Sequence, residues 1–211
     1  MDNPLFGRIM TVFAAVEERK GGAELRTRLL EGLSGRVIEV GVGSGPSLSR
    51  YPREVEHITA VEPDPYLRGK ATQAAAEVDG IDIDVVDGLV ESLPAPEDSY
   101  DAAVVSLLLC SVPDPQGALA EIARVLKPGG QLRFFEHVAS HAPGLARMQT
   151  ALDSTFWPHA FGGCRLTRDT RANIEAAGLR IDQLSRFSFR PSVLGLPVSP
   201  RILGRASLPA G

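Results

Sequence analysis

Residues 36 to 45 read Arg-Val-Ile-Glu-Val-Gly-Val-Gly-Ser-Gly, and this stretch restricts the possible folds more than any other. Val37, Ile38 and Val40 are branched and apolar, the composition of a strand buried on both faces of a parallel sheet. Gly41, Gly43 and Gly45 then let the backbone turn sharply and come close to a ligand with no Cβ in the way. Glu62 closes the next apolar segment, Ala60-Val61-Glu62-Pro63-Asp64, about 20 residues on, where nucleotide-binding α/β folds carry an acceptor for ribose hydroxyls. Strand, glycine loop and acid together predict an adenosine-bearing cofactor.

The loop's spacing narrows the choice. A dinucleotide fingerprint reads G-x-G-x-x-G, and its third glycine allows close packing where the pyrophosphate meets the helix. Here the glycines fall as G-x-G-x-G, and Pro46 stands at the fingerprint's third glycine position. Glu39 would also bring negative charge toward a pyrophosphate, whereas it suits an ammonium group. The pattern therefore favours S-adenosylmethionine, whose amino group, carboxylate and ribose need mixed polarity.

The rest of the chain reads as one domain, 1–211, of alternating helices and strands. An apolar stripe of Leu5, Ile9, Val12, Phe13 and Val16 predicts a helix over 4–19, broken by Gly21-Gly22 and followed by a second helix over 23–32. Strands are predicted at 36–41, 57–62, 81–86, 100–109 and 131–138. Helices are predicted from about Pro46, over 65–78 and over 115–126, the last stopped by Lys127-Pro128-Gly129-Gly130. Ligands of such sheets bind at the carboxyl ends of the strands. Those ends carry the glycine loop, then Glu62 and Pro63, then Asp87-Gly88-Leu89, then Ser106 and Cys110, then Glu136-His137. Asp87 is placed to receive an adenine amino group and Leu89 to cover a ring face, although Asp-Gly is also a common turn pair.

Composition excludes several classes. A net charge of −4 gives no electrostatic reason to expect a nucleic-acid partner. No apolar run reaches the roughly 18 residues of a membrane span, so no integral membrane segment is expected. Two cysteines without a secretory signal fit reduced thiols in a cytoplasmic protein. Cys110 and Cys164 lack C-x-x-C or C-x-x-x-H spacing, which makes them poor zinc ligands on sequence grounds, and no metal is expected. Cys110 reads instead as a small buried hydrophobe and Cys164 as a lining residue of an acceptor pocket.

Glu39-x-Gly-x-Gly-x-Gly45, Glu62, Ser99-Tyr100-Asp101 and Arg124-Val125-Leu126-Lys127-Pro128-Gly129-Gly130 resemble the motifs of class I S-adenosylmethionine-dependent methyltransferases. Leu109-Cys110-Ser111-Val112, Phe135-Glu136-His137-Val138-Ala139, Gly163-Cys164-Arg165-Leu166-Thr167-Arg168 and Gly204-Arg205-Ala206 are similar to the small methyltransferase-like proteins that include the microsomal alkyl-thiol methyltransferases. The microsomal relatives begin with a hydrophobic anchor that this sequence does not display. The resemblance implies a Rossmann-like, mostly parallel sheet of seven strands in order 3-2-1-4-5-7-6, strand 7 antiparallel, with helices on both faces. It places the last strands near 179–188 and 200–207, after a helix at 168–177 capped by Thr167 or Asp169. An insertion at 140–165, holding His141, Phe156, Trp157, His159 and Cys164, would join the N-terminal helical cap, 1–32, in roofing the acceptor site.

Methyl transfer from a sulfonium asks chiefly for alignment, exclusion of water and removal of one proton. His137, at the end of a central strand, is the leading candidate to assist that deprotonation, ahead of His141 and His159. A small-molecule thiol is the favoured acceptor, with an amine, whose positive charge Asp153 or Glu136 could meet, a hydroxyl or a phospholipid head group as alternatives. A nicotinamide oxidoreductase is opposed by Pro46 and by the lack of a suitably placed Tyr-x-x-x-Lys pair, since Tyr66 and Lys70 precede strand three. A non-catalytic cofactor-binding subunit stays open. The sequence leaves the oligomeric state undetermined.

Overall fold

The computed structural model describes residues 11–12, 14–190 and 195–210. Leu5, Ile9 and Phe13 of the expected first helix lie outside them. Residues 14–17 are helical and run into a π-helical turn, Glu18–Gly22, where Gly21 takes a positive φ of 113° and kinks the chain. Helix α1, Ala23–Leu30, continues directly from it. The glycine pair therefore bends the path without separating the two helices.

Strands β1 (Gly35–Val40), β2 (Val55–Val61), β3 (Asp82–Val86), β4 (Tyr100–Ser106), β5 (Leu126–His137), β6 (Arg180–Ser188) and β7 (Pro200–Ser207) form one sheet in order β3-β2-β1-β4-β5-β7-β6. β1 to β5 pair in parallel, and β7 runs antiparallel between β5 and β6. This is the architecture implied by the resemblance. Successive residues of each strand point to opposite faces, so the sheet has two cores. Ile38, Val40, Val105, Leu132 and Phe134 pack with Leu119 and Ile122 of α3 (Pro115–Val125) on one side. Val37, Ile58, Val104 and Phe135 pack with Leu29 and Leu30 of α1, Leu48 and Ala71 on the other. Ala71 belongs to α2, Pro65–Ala75, whose first turn is capped by Asp64 accepting from Leu67 N at 2.9 Å.

Two expectations need correction. The helix predicted from Pro46 is a single 3-10 turn, Leu48–Arg50, because Pro52 and the start of β2 at Val55 leave no room for further helical turns. β4 stops at Ser106 although Leu107, Leu108 and Leu109 continue the apolar run. Leu107 has a φ of 58°, which ends the extended conformation and turns the chain toward the ligand edge.

The insertion holds α4, Pro143–Asp153, and a short α5, Trp157–Ala160. α6, Thr170–Ala176, is capped by Asp169, which accepts from Ala172 N at 3.1 Å, as the sequence predicts. Among the described residues no helix is long and apolar enough to cross a membrane.

Gly204 of β7 tests the packing of the sheet. A Cβ there would press into the Gln183 carbonyl oxygen and lie 2.6 Å from Phe134 Cζ. Gly204→Ala is expected to destabilise the protein by about 1–3 kcal/mol, lowering the urea midpoint at unchanged m value. An unchanged midpoint would show that β6 and β7 tolerate a wider spacing.

Candidate active site

The carboxyl edge of the sheet is built from loops that carboxylates hold in place. Glu39 of β1 is fully buried and accepts from Ser47 Oγ at 2.6 Å and Tyr51 OH at 2.9 Å. Burial raises its pKa above the ordinary carboxylate value, against the pull of those two hydrogen bonds. It braces the glycine loop from beneath, and this engages both oxygens that the sequence reading assigned to an ammonium group.

The loop above has room on one side only. A Cβ on Gly45 would fall 3.0 Å from Ala74 Cβ and 3.2 Å from Ala71 Cα, so this glycine is what lets the loop pack on α2. A Cβ on Gly41 would meet Leu108 Cδ1 at 3.0 Å, whereas one on Gly43 would meet nothing within 4 Å. Gly43 N donates to Glu62 Oε2 at 2.9 Å, and Asp64 N donates to Glu62 Oε1 at 3.0 Å. Glu62 thus ties the ends of β1 and β2 together while each oxygen keeps a further lone pair. Burial raises its pKa above the ordinary carboxylate value, opposed first by the two backbone bonds.

Beyond β3, Asp87 accepts from Arg68 Nη1 at 3.0 Å, and the same nitrogen reaches the carbonyls of Glu62 and Pro63 at 2.7 and 2.9 Å. Gly88 has no space for a side chain, because a Cβ would lie 2.9 Å from both Pro94 Cδ and Val61 Cγ1. Leu89 is 57% exposed, a large apolar side chain facing solvent beside these polar groups. Ser106 Oγ is buried at the end of β4 with no hydrogen-bond partner.

The second half of the edge is organised by Glu136, which has no solvent exposure. Its carboxylate accepts the N–H groups of Leu108, Leu109 and Cys110 at 3.0, 2.9 and 3.1 Å. Burial, then the neighbouring Cys110, raises its pKa well above the ordinary carboxylate range, opposed by the three backbone bonds. Asp153, at the end of α4, accepts from Leu166 N, Thr167 N and Thr167 Oγ1 at 2.8, 2.9 and 2.6 Å. The sequence reading offered Glu136 and Asp153 as charges for a cationic acceptor. Both are committed to the backbone instead.

This scaffold brings three distant residues together. Cys110 Sγ and Cys164 Sγ each lie 3.8 Å from His137 Nδ1. The two thiols are coupled: Cys110 is pushed up to about 12, first by its hydrogen bond with Cys164 and then by burial, while that same bond lowers Cys164. Trp157 covers the cluster, stacked on Phe161 with ring centroids 4.0 Å apart. Its indole Nε1 has no partner in hydrogen-bonding geometry, yet it is near enough to favour the Cys164 thiolate. His137 Nε2 is likewise buried without a partner. Phe156 is 56% exposed next to Trp157, so it is no core residue. His141 and His159 are exposed and stand outside the cluster around His137.

Two cavities, of about 290 and 260 Å³, lie away from this edge. One is bounded by Arg28, Arg133 and Arg205, the other by Asp101, Lys127 and Gly130. Neither touches the glycine loop or the cluster.

Sequence reasoning missed Glu17 and Arg201. Arg201 is 1% exposed, donates to Glu17 from Nη1 at 2.7 Å and Nη2 at 3.2 Å, and lies over the rings of Phe135 and Phe189. The pair fastens the N-terminal helix to β7, and Glu17 senses the charge of His137.

Comparison with known proteins agrees with the geometry. A family model described as a methyltransferase domain matches residues 38–134. The chain is 33% identical over 210 residues to human thiol S-methyltransferase TMT1B, covering 95% of this chain and 85% of that protein. It is 30% identical over 148 residues to phosphatidylethanolamine N-methyltransferase of Cereibacter sphaeroides, covering 66% and 71%. A Thermotoga maritima structure described as a SAM-dependent methyltransferase, possible histamine N-methyltransferase, superposes with a TM-score of 0.69 at 23% identity, covering 96% and 98%.

The Glu17–Arg201 pair has a pH signature. Burial raises the Glu17 carboxyl, but the hydrogen bond and charge of Arg201 outweigh it and leave it below 4.5. Such a group stabilises the fold above its unfolded value, and that stability is lost as pH falls through the folded value. The protection of residues 14–22 against amide exchange, corrected for the intrinsic pH dependence of the exchange rate, is expected to fall on acidification below about pH 4.5, and Glu17→Gln is expected to lower it at neutral pH. Protection insensitive to both changes would show that apolar contacts alone hold this helix.

Proposed function

The chain belongs to the S-adenosylmethionine-dependent methyltransferases, on the branch that holds the thiol S-methyltransferases, and from that premise we propose that it methylates the sulfur of a small hydrophobic or heteroaromatic thiol. The observation that carries this reading is the chemistry of the acceptor end. Sulfur, imidazole and indole groups converge there, and the nearby carboxylates of Glu136 and Asp153 are already satisfied by backbone N–H groups. A cationic amine would find no spare anion among them, whereas a polarizable sulfur suits these surroundings.

The residues of the opposite half fit the methyl donor. In this reading Glu62 receives the ribose hydroxyls on its remaining lone pairs, and Gly43 leaves the loop open toward the adenosyl group. Gly41 and Gly45 set the loop's path, with Glu39 bracing it. Pro63, Gly88 and Leu89 form the adenine side, and Asp87 offers the oxygen that Arg68 does not hold. Ser106 Oγ, buried and unpaired, has its hydrogen bond to give to the donor's amino-acid end. When bound, S-adenosylmethionine supplies a methyl group already activated by a sulfonium. The protein's share is positioning, which in well-oriented systems is worth on the order of 7–11 kcal/mol of barrier. Trp157 and Phe156, with the N-terminal cap, exclude water, Cys110 and Cys164 line the acceptor end, and His137 assists ionisation of the acceptor.

Glu62→Ala is expected to weaken adenosylhomocysteine binding by about 1.5–3 kcal/mol in calorimetric titration, the value of a charge-assisted hydrogen bond. Equal affinities would remove Glu62 from the ribose site.

A matched panel of thiols, amines and phenols, read by adenosylhomocysteine release, is expected to show thiols fastest. The rate should rise with pH until the thiol, with an ordinary pKa near 8.5, is ionised. His137→Ala is expected to move that rise to higher pH as well as lower the plateau. Amines or phenols methylated faster than every thiol would overturn the acceptor while leaving the methyltransferase in place.

A further inference from the structure

Cys110, His137 and Cys164 come from the turn after β4, the end of β5 and the insertion, and their ligand atoms all lie within 4.8 Å of one another. The three positions are set by backbone structure. Glu136 fixes the Cys110 turn, and Arg165 N donates to Cys110 O at 2.8 Å, locking the Cys164 segment against it. Gly163 makes that approach possible, since a Cβ on it would lie 2.6 Å from Ser111 O. The imidazole nitrogen facing the thiols is equidistant from both sulfurs at 3.8 Å. That is long for either hydrogen bond, but close to the roughly 3.6 Å sulfur–nitrogen edge that follows from Zn–S and Zn–N bond lengths at a tetrahedral angle. Two thiols and one imidazole are a soft donor set that suits zinc and does not suit magnesium or calcium. Three protein ligands also leave a tetrahedral ion one open position, the arrangement of catalytic zinc sites.

We propose that Cys110, His137 and Cys164 bind a zinc ion whose fourth position takes the sulfur of the acceptor thiol. The first half stands on the geometry alone, and the second rests on the thiol reading above. Binding exchanges the two cysteine S–H protons for the metal, and the protons leave to solvent. The acceptor thiol likewise gives up its proton to solvent and binds as a thiolate. Its lone pair then forms the new sulfur–carbon bond as the donor's sulfur–carbon bond breaks, giving a thioether and adenosylhomocysteine. The neutral thioether is a poorer ligand and leaves. His137 thereby assists ionisation as a ligand, through the metal's charge, and linear spacing gave no sign of this because the three residues meet only in the folded chain.

The test uses the full-length protein, purified with reductant and without chelator. Elemental analysis is expected to find stoichiometric zinc, and the chelated protein reloaded with Co²⁺ is expected to show sulfur-to-cobalt charge-transfer absorption. Cys110→Ser, Cys164→Ser and His137→Ala should each weaken metal binding by more than roughly a hundredfold. Because a buried variant can fail to fold, the wild-type protein is also melted with and without Zn²⁺, and stabilisation by the ion is expected. Adding a thiol that the enzyme methylates should change the cobalt spectrum.

A folded wild-type protein that takes up neither ion, or that keeps a Cys110–Cys164 disulfide under reductant, overturns the proposal. Thiol methylation by that metal-free protein would leave the thiol reading intact. A bound cobalt whose spectrum ignores methylated thiols overturns the fourth-ligand assignment. Amines methylated faster than thiols by a protein that holds zinc would sink the thiol reading and the fourth-ligand role, while the ion site itself would stand.

Discussion

The turn after β4 and the cluster beside it hang from one carboxylate. Glu136 has no contact with water and would be costly to ionise there without partners. Three backbone N–H groups, from Leu108, Leu109 and Cys110, supply those partners. In return they give the turn after β4 a fixed shape that ordinary turn bonding would not impose. Leu107 pays with a left-handed backbone, and the turn places Leu108 against Gly41 of the donor loop and Cys110 against His137. One buried carboxyl group therefore joins the glycine loop to the Cys110–His137 cluster.

The same device recurs along the sheet edge. Glu39 holds Ser47 and Tyr51 under the glycine loop, Glu62 holds Gly43 and Asp64, and Asp153 holds Leu166 and Thr167. Loops at a strand end carry N–H groups with no ladder partner, and a carboxylate can accept several at once. Most of these acids serve the backbone before they serve a ligand. Glu62 differs in that it ties two loops with one bond to each oxygen, which leaves each a lone pair for the ribose contact proposed above.

How much of this was legible in the sequence follows the range of the interactions. The strand–helix alternation rests on local periodicity and the seven-strand order on the resemblance, and both stand as read, as does Asp169, one of the two caps expected for α6. Pro46 misled, because a proline at the start of an expected helix reads identically whether one turn follows or three. The apolar run through Leu109 overextended β4 because hydrophobicity does not encode a positive φ. Glu136 and Asp153 looked like charges available to an acceptor, since nothing in a sequence distinguishes a free carboxylate from one spent on N–H groups. Arg201 and Glu17, far apart in the chain, had no local signal at all.

The cysteines mark the limit most sharply. Their separation from each other and from His137 matches no linear ligand motif, so spacing argued against a shared role. In the fold, β4 and β5 are neighbours, and the turn that Glu136 holds after β4 brings Cys110 beside His137. The insertion then needs only one close approach, at Gly163, to deliver Cys164 to the same point. The N-terminal helix closes the arrangement from the other side, since Glu17 is held by Arg201 of β7, which pairs with His137 in the β5–β7 register. The N-terminal helix and the cluster around His137 are thus fastened to the same strand ends, and a change that loosens the Glu17–Arg201 pair acts on the charge around His137.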